Sequence, residues 1–154
     1  MKNSTVDLFF REAEHDDLPA IATLLSEDML GVTRDGMQYL PDYAAALEAI
    51  NAQAGNTVMV ATLGDEVVGV LQLTLIPGLS RGGMLRAQIE GVRVSSQHRG
   101  KRIGHQFFEY AVGLARDAGC SLVQLNSDKQ RTDAVRFYES LGFIASHEGL
   151  KLML

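Results

Sequence analysis

The sequence holds a single cysteine, Cys120, and no apolar run approaching the roughly 20 residues that a bilayer-spanning helix needs. One thiol excludes an intramolecular disulfide, and it lacks the companions of a zinc cluster. His15 and His147 have no ligand constellation around them either, so no metal site is expected. The N-terminus, MKNSTVDLFF, has one lysine and too short an apolar patch for a signal peptide. The expectation is a cytoplasmic protein with no membrane partner. Repeats, low-complexity tracts and linker-like stretches are missing as well, so residues 1–154 read as one domain. A chain of this length can bury roughly 70% of its unfolded surface. Neither G-x-x-x-x-G-K-[ST] nor G-x-G-x-x-G occurs, which argues against a P-loop and against a dinucleotide fold.

What is present is ordinary globular composition, 46% hydrophobic and 21% charged, with a net charge of −5. The charge is uneven. Between Arg81 and His105, six basic residues face one acid, Glu90, so that window carries +5 and the remainder −10. An acidic surface speaks against a nucleic-acid partner. A local positive patch suits a small anionic ligand instead.

Periodicity gives the order β-α-α-β-β-β-α-β-α-β, with room for one more strand at the end. VDLFFREAE reads as the first strand. DDLPAIATLLSEDM reads as a helix capped near Asp16 or Asp17, and PDYAAALEAINAQ as a second with Pro41 at its start. TVMVATLGDEVVGVLQLTLI is a hairpin turning at Gly64-Asp65. MLRAQIEGVRV alternates Leu85, Ala87 and Ile89 with polar neighbours, as a strand does. A long helix follows from about Gly100, with Ile103, Phe107, Ala111, Leu114 and Ala118 at helical spacing. CSLVQLN is a further strand, and the helix between 84 and 126 makes a right-handed crossover. TDAVRFYESLGF reads as a helix burying Ala134, Phe137, Tyr138 and Leu141 and closing at Gly142. The expected fold is α/β (α+β), with a mixed, mostly antiparallel sheet of six to seven strands and about four helices.

The stretch VRVSSQHRGKRIG carries the cations where a strand hands over to a helix. A helix N-terminus exposes unpaired N–H groups and roughly half a positive charge, so it attracts anions. Gly100 and Gly104 let a bulky anion approach the backbone, and Arg99, Lys101 and Arg102 add full charges. Phosphate or pyrophosphate is the natural ligand. A merely solvated basic turn is the competing reading of this loop on its own.

The same stretch resembles the acetyl-CoA motif of the GCN5-related N-acetyltransferases (GNAT), V-x-P-x-x-R-G-x-G-I-G. Its core [RQ]-x-x-G-x-[GA] falls on Arg99, Gly100, Lys101, Arg102, Ile103 and Gly104, with Arg102 standing where the pattern has glycine. DAVRFYESLGF is similar to the family's A-x-x-x-Y-x-x-x-G-F segment, with Tyr138 at the tyrosine and Arg131 where asparagine is frequent. The resemblance runs from about Val58 to Phe143. It implies a cleft where strand 84–94 splays from strand 121–126. Backbone groups of Val92, Arg93 and Val94 would hold the pantetheine of acetyl-CoA, and N–H groups from Arg99 to Gly104, with His105, the pyrophosphate. Asn126 and Arg131 would contact the pantetheine or the phosphates. A homodimer is also implied.

The implied activity is acetyl transfer from acetyl-CoA to a primary amine, on a small molecule or a peptide, in a ternary complex. Glu90 resembles the family's strand glutamate and reads as the base, through water, or as an amine-orienting group. Its alternative is a surface carboxylate paired with Arg86 or Arg93. The Tyr138 phenol would donate to the departing sulfur, with a reference pKa near 10 against roughly 8.5 for a thiol. Cys120 reads as core rather than as an acyl carrier. His98 and His105 read as solvent-exposed. Glu27, Asp28, Asp35 and Asp42 form an acidic stretch that is either amine-attracting or simply solvated. Two other functions stay open: an acyl-CoA-binding or regulatory module without transfer, and a transferase using another acyl-CoA.

Overall fold

The computed structural model describes residues 7–154. Val6, which the first-strand reading includes, lies outside them. The chain divides into two compact units, one ending at Gln124 and one from Leu125 to Leu154, taken in turn.

In the first unit five strands form one sheet in sequence order: β1 (Leu8–Glu12), β2 (Asn56–Leu63), β3 (Glu66–Pro77), β4 (Leu85–Val94) and β5 (Leu122–Gln124). Neighbours are antiparallel except β4 and β5, which run parallel. Among the described residues, three helices of eight residues or more belong to this unit, α1 (Leu18–Leu25), α2 (Leu40–Asn51) and α3 (Ile103–Asp117), beside two four-residue helical turns at Gly31–Arg34 and Ser80–Gly83. The β2–β3 hairpin turns at Gly64-Asp65 as its sequence suggests, with Gly64 at φ 56°.

Each face of the sheet has its own core. On one face, Val60 and Val70 pack with Leu18, Ile21 and Leu24 of α1 and Leu47 of α2. Asp17 anchors the start of α1. It accepts the Glu14 N–H at 2.7 Å and takes both Arg11 guanidinium nitrogens, at 2.7 and 2.9 Å. The Arg11 bond holds its carboxyl below the ordinary carboxylate range. On the other face α3 lies against β1, β3 and β4. Its Phe107 stacks on Phe10 with centroids 5.4 Å apart. Gly69 makes room for that ring, since a Cβ there would stand 3.3 Å from it.

The second unit holds α4 (Thr132–Ser140), which closes at Gly142 (φ 95°) as expected. Its apolar set is only half-buried: Ala134, Phe137, Tyr138 and Leu141 all keep some exposure. The sheet has five strands among the described residues, not six or seven, because residues 143–154 form no ladder. The sequence reading ends the chain in one or two strands, but a strand exists only with a hydrogen-bonded neighbour. None engages this segment, and Ile144, Leu150, Leu152, Met153 and Leu154 are exposed.

Candidate functional site

β4 changes character halfway along. From Arg86 to Gln88 it pairs with β3 on one side and β5 on the other. The pairing with β5 stops at Gln88↔Gln124, and β4 runs on to Val94 with β3 alone. In that second half the register shifts: Val70 faces Arg93 while Gln72 faces Glu90, so Gly91 and Val92 together oppose Leu71. Gly91 has φ 63°, a value that suits glycine and marks a β-bulge. The bulge bends the strand and leaves one edge of residues 90–94 without a β5 partner. That edge can accept an extended polar chain as a further strand would.

Glu90 is exposed beside this edge and makes no ion pair among the described residues, so the alternative pairing with Arg86 or Arg93 does not form. Val92 and Val94 are half-buried, and the Arg93 guanidinium donates to the Val92 carbonyl at 2.7 Å.

The loop after Val94 is held at several points. Ser95 is buried, its hydroxyl accepts the Gln97 N–H at 3.4 Å, and the Ser96 N–H donates to Glu27 at 3.2 Å. His98 bridges two elements: its Nε2 lies 3.2 Å from Glu66 at the start of β3, and its Nδ1 3.2 Å from the Lys101 ammonium. The His98 side chain is only 15% exposed. His98 and His105 are therefore half-buried rather than solvent-facing. For His98 the cause is the Glu66 and Lys101 contacts, which draw the ring inward.

The helix begins at Ile103 and not at Gly100. Gly100 (φ 81°) and Arg102 (φ 55°, ψ 27°) are both left-handed, and such a conformation cannot propagate a right-handed helix. Glycine takes such a conformation most readily, and Arg102 stands where the resembled motif has glycine. Arg102 accepts a conformation that costs an L-residue about 1–2 kcal/mol. Arg99, Lys101 and Arg102 are exposed around the first turn of α3, where the Gln106 N–H bonds back to Arg102 and Ile103 and Gly104 come first. Gly104 is half-buried and Ile103 buried, so the isoleucine side chain anchors the turn from within.

Of the acidic stretch, Glu27 binds the Ser96 N–H, Asp28 accepts the Gly31 N–H at 2.6 Å, and Asp35 accepts the Tyr43 hydroxyl at 2.7 Å. Each of these three carboxylates takes at least one of the protein's own donors. Cys120 is half-buried, and burial pushes its thiol up, away from the thiolate form. A cavity of about 290 Å³ lies under α3, lined by Met59, Leu73, Tyr110 and Leu114 among others, and includes none of the expected site residues.

In the second unit Arg131 precedes α4, its N–H bonded to the Asp128 carbonyl at 2.9 Å. Asn126 is exposed, with its side-chain oxygen close to Gly149. Tyr138 meets the rings of Phe137 and Phe143 edge-on, at 5.5 and 6.1 Å.

The sequence reading missed a row of polar side chains across the sheet. Asn56, Thr74, Gln88 and Gln124 stand opposite one another on β2, β3, β4 and β5. Only the strand register aligns them. An isolated glycine within a strand pattern was the available signal for the Gly91 bulge.

Residues 18–143 match the acetyltransferase (GNAT) family. Among curated proteins, the chain is 30% identical over 137 residues to an aminoalkylphosphonate N-acetyltransferase of Salmonella typhimurium, covering 89% of this chain and 85% of that one. It is 28% identical over 151 residues to a glucosamine 6-phosphate N-acetyltransferase of Trypanosoma brucei brucei, covering 97% of each. Among solved structures, one from Bacillus halodurans described as a transcriptional regulator superposes with a TM-score of 0.91. It is 45% identical in sequence and covers 96% of this chain and all of its own.

Proposed function

Because this chain belongs to the GNAT acetyltransferase family, we propose that it moves an acetyl group from acetyl-CoA to a primary amine by direct attack in a ternary complex. The observation that carries this reading is the second half of β4: a bulged, one-sided strand leading through a left-handed loop into a helix N-terminus. Such an edge fits the amides of pantetheine, and the loop fits a pyrophosphate. Acetyl-CoA, when bound, supplies a thioester carbonyl open to nucleophiles.

The chain's own residues supply the rest. Backbone groups of Val92, Arg93 and Val94 bind the pantetheine arm. The N–H groups of Ile103 and Gly104, reinforced by Arg99, Lys101 and Arg102, hold the phosphates, with His105 beside them. Gly100 permits the close approach. Asn126 and Arg131 contact the coenzyme further along. Glu90 takes the proton that the ammonium must lose, directly or through water. The Tyr138 hydroxyl donates to the departing sulfur. The acceptor is a small-molecule amine, as the names of the curated relatives suggest.

A regulatory reading, in which the fold binds an acyl-CoA without transfer, draws support from the description of the Bacillus halodurans protein. Thioester consumption with acetyl-CoA and an amine panel separates the two. Transfer predicts free thiol and acetylated amine in equal amounts. It also predicts that Tyr138→Phe lowers kcat while acetyl-CoA affinity holds. Tight coenzyme binding without thiol release for any amine would leave the regulatory reading.

A further inference from the structure

The sheet face that α1 and α2 cover at Val60 and Val70 becomes polar toward the other end of the strands. There Asn56, Thr74, Gln88 and Gln124 form a row across four strands, with Gln72 and Glu90 opposite each other in the next row. All but Glu90 are half-buried. Asparagine is depleted in strands, and a purely solvated stripe has no need of neutral amides at matched positions.

The amides are fixed to one another. The Asn56 side-chain oxygen accepts Gln72 Nε2 at 2.9 Å and the Thr74 hydroxyl at 3.2 Å. Gln124 Nε2 donates to Gln88 Oε1 at 3.1 Å. Those bonds use up one half of each glutamine and leave the other. Gln72 keeps an acceptor oxygen, Gln88 a donor NH₂ and Gln124 an acceptor oxygen. Strands lie about 4.8 Å apart, so this acceptor–donor–acceptor series spans roughly 10 Å. Glu90 follows about 6.8 Å from Gln88 along β4.

We infer that this row is the acceptor floor, and that it selects primary amines carried on a hydroxyl-rich body about one ring wide. The inference rests on the transferase reading, with Glu90 at the amine. Hydroxyl groups both donate and accept, so they match a surface offering both in alternation. An alkyl or aromatic amine would leave these groups desolvated and unpaired, which penalises it.

The test compares scyllo-inosamine, a cyclohexane ring with one amine and five hydroxyls, with cyclohexylamine. The parent is expected to favour the inosamine in kcat/KM. In the Gln88→Leu/Gln124→Leu double variant that preference should fall about ten- to a hundredfold. Coenzyme A affinity and melting temperature serve as the folding controls. Gln72→Leu, which removes the third group singly, should give a fall of about two- to tenfold. A parent that prefers cyclohexylamine, or a preference that neither variant moves, overturns the floor while leaving the transferase reading standing. Where the parent transfers to neither amine, ligand-observed NMR decides. Inosamine binding that the double variant abolishes supports the floor whatever the amine panel says of transfer, and no inosamine binding to the parent overturns it.

Discussion

The two halves of β4 share a strand and little else. Residues 85–89 sit inside the sheet, with Ala87 and Ile89 buried on the α3 face and Gln88 in the polar row on the other. Residues 90–94 are bulged, bonded on one side, and mostly exposed or half-buried. The difference shows how one element can serve both purposes: the first half fixes position and the second half leaves backbone groups open. Substitutions should therefore divide sharply at Gly91, in stability on one side and in ligand behaviour on the other.

The largest expected effect is in the first half. Ile89→Ala empties a site that is 1% exposed, and should cost about 2–5 kcal/mol in urea unfolding. A loss below 1 kcal/mol would mean that this half is not the anchored one. Gly91→Val comes next. A β-branched residue at φ 63° costs about 1–2 kcal/mol, and straightening the bulge should weaken coenzyme A binding measured by calorimetry. Unchanged binding at reduced stability would detach the bulge from the cleft. Arg102→Gly reverses the sign: relief of the left-handed strain should stabilise the chain by about 0.5–1 kcal/mol, with coenzyme affinity slightly lower for the lost charge. Glu90→Gln should move stability least, within about 0.5 kcal/mol, since the side chain is exposed and forms no ion pair. It should nevertheless lower kcat/KM for the amine, since the proposed proton acceptor is lost. Full activity in that variant would remove Glu90 from the chemistry.

Local signals made much of this legible in the sequence. The Gly64-Asp65 turn, Pro41 at a helix start and the basic glycine loop each act within a few residues, and each appears where the sequence puts it. What escaped depends on distance. The polar row joins positions 56, 74, 88 and 124, which only register brings level. The His98 contact with Glu66 crosses 32 residues and turns a surface-looking histidine inward. The start of α3 was set too early because helical periodicity does not register a left-handed residue, although the motif's glycine at the Arg102 position pointed to one. The one or two strands expected at the C-terminus, conversely, form no ladder among the described residues.

The single parallel pairing has a consequence in time as well as in space. β2 and β3 meet across a two-residue turn, whereas β5 reaches β4 only after the whole α3 crossover, and long closures are entropically dearer. The three-residue β4–β5 contact is accordingly the step expected to come late. In pulse-labelled exchange during refolding, the amides of Val123 and Gln124 should gain protection after those of Val60 and Val70. The mouth of the cleft and the last member of the polar row would then be set together, once the rest of the sheet already exists.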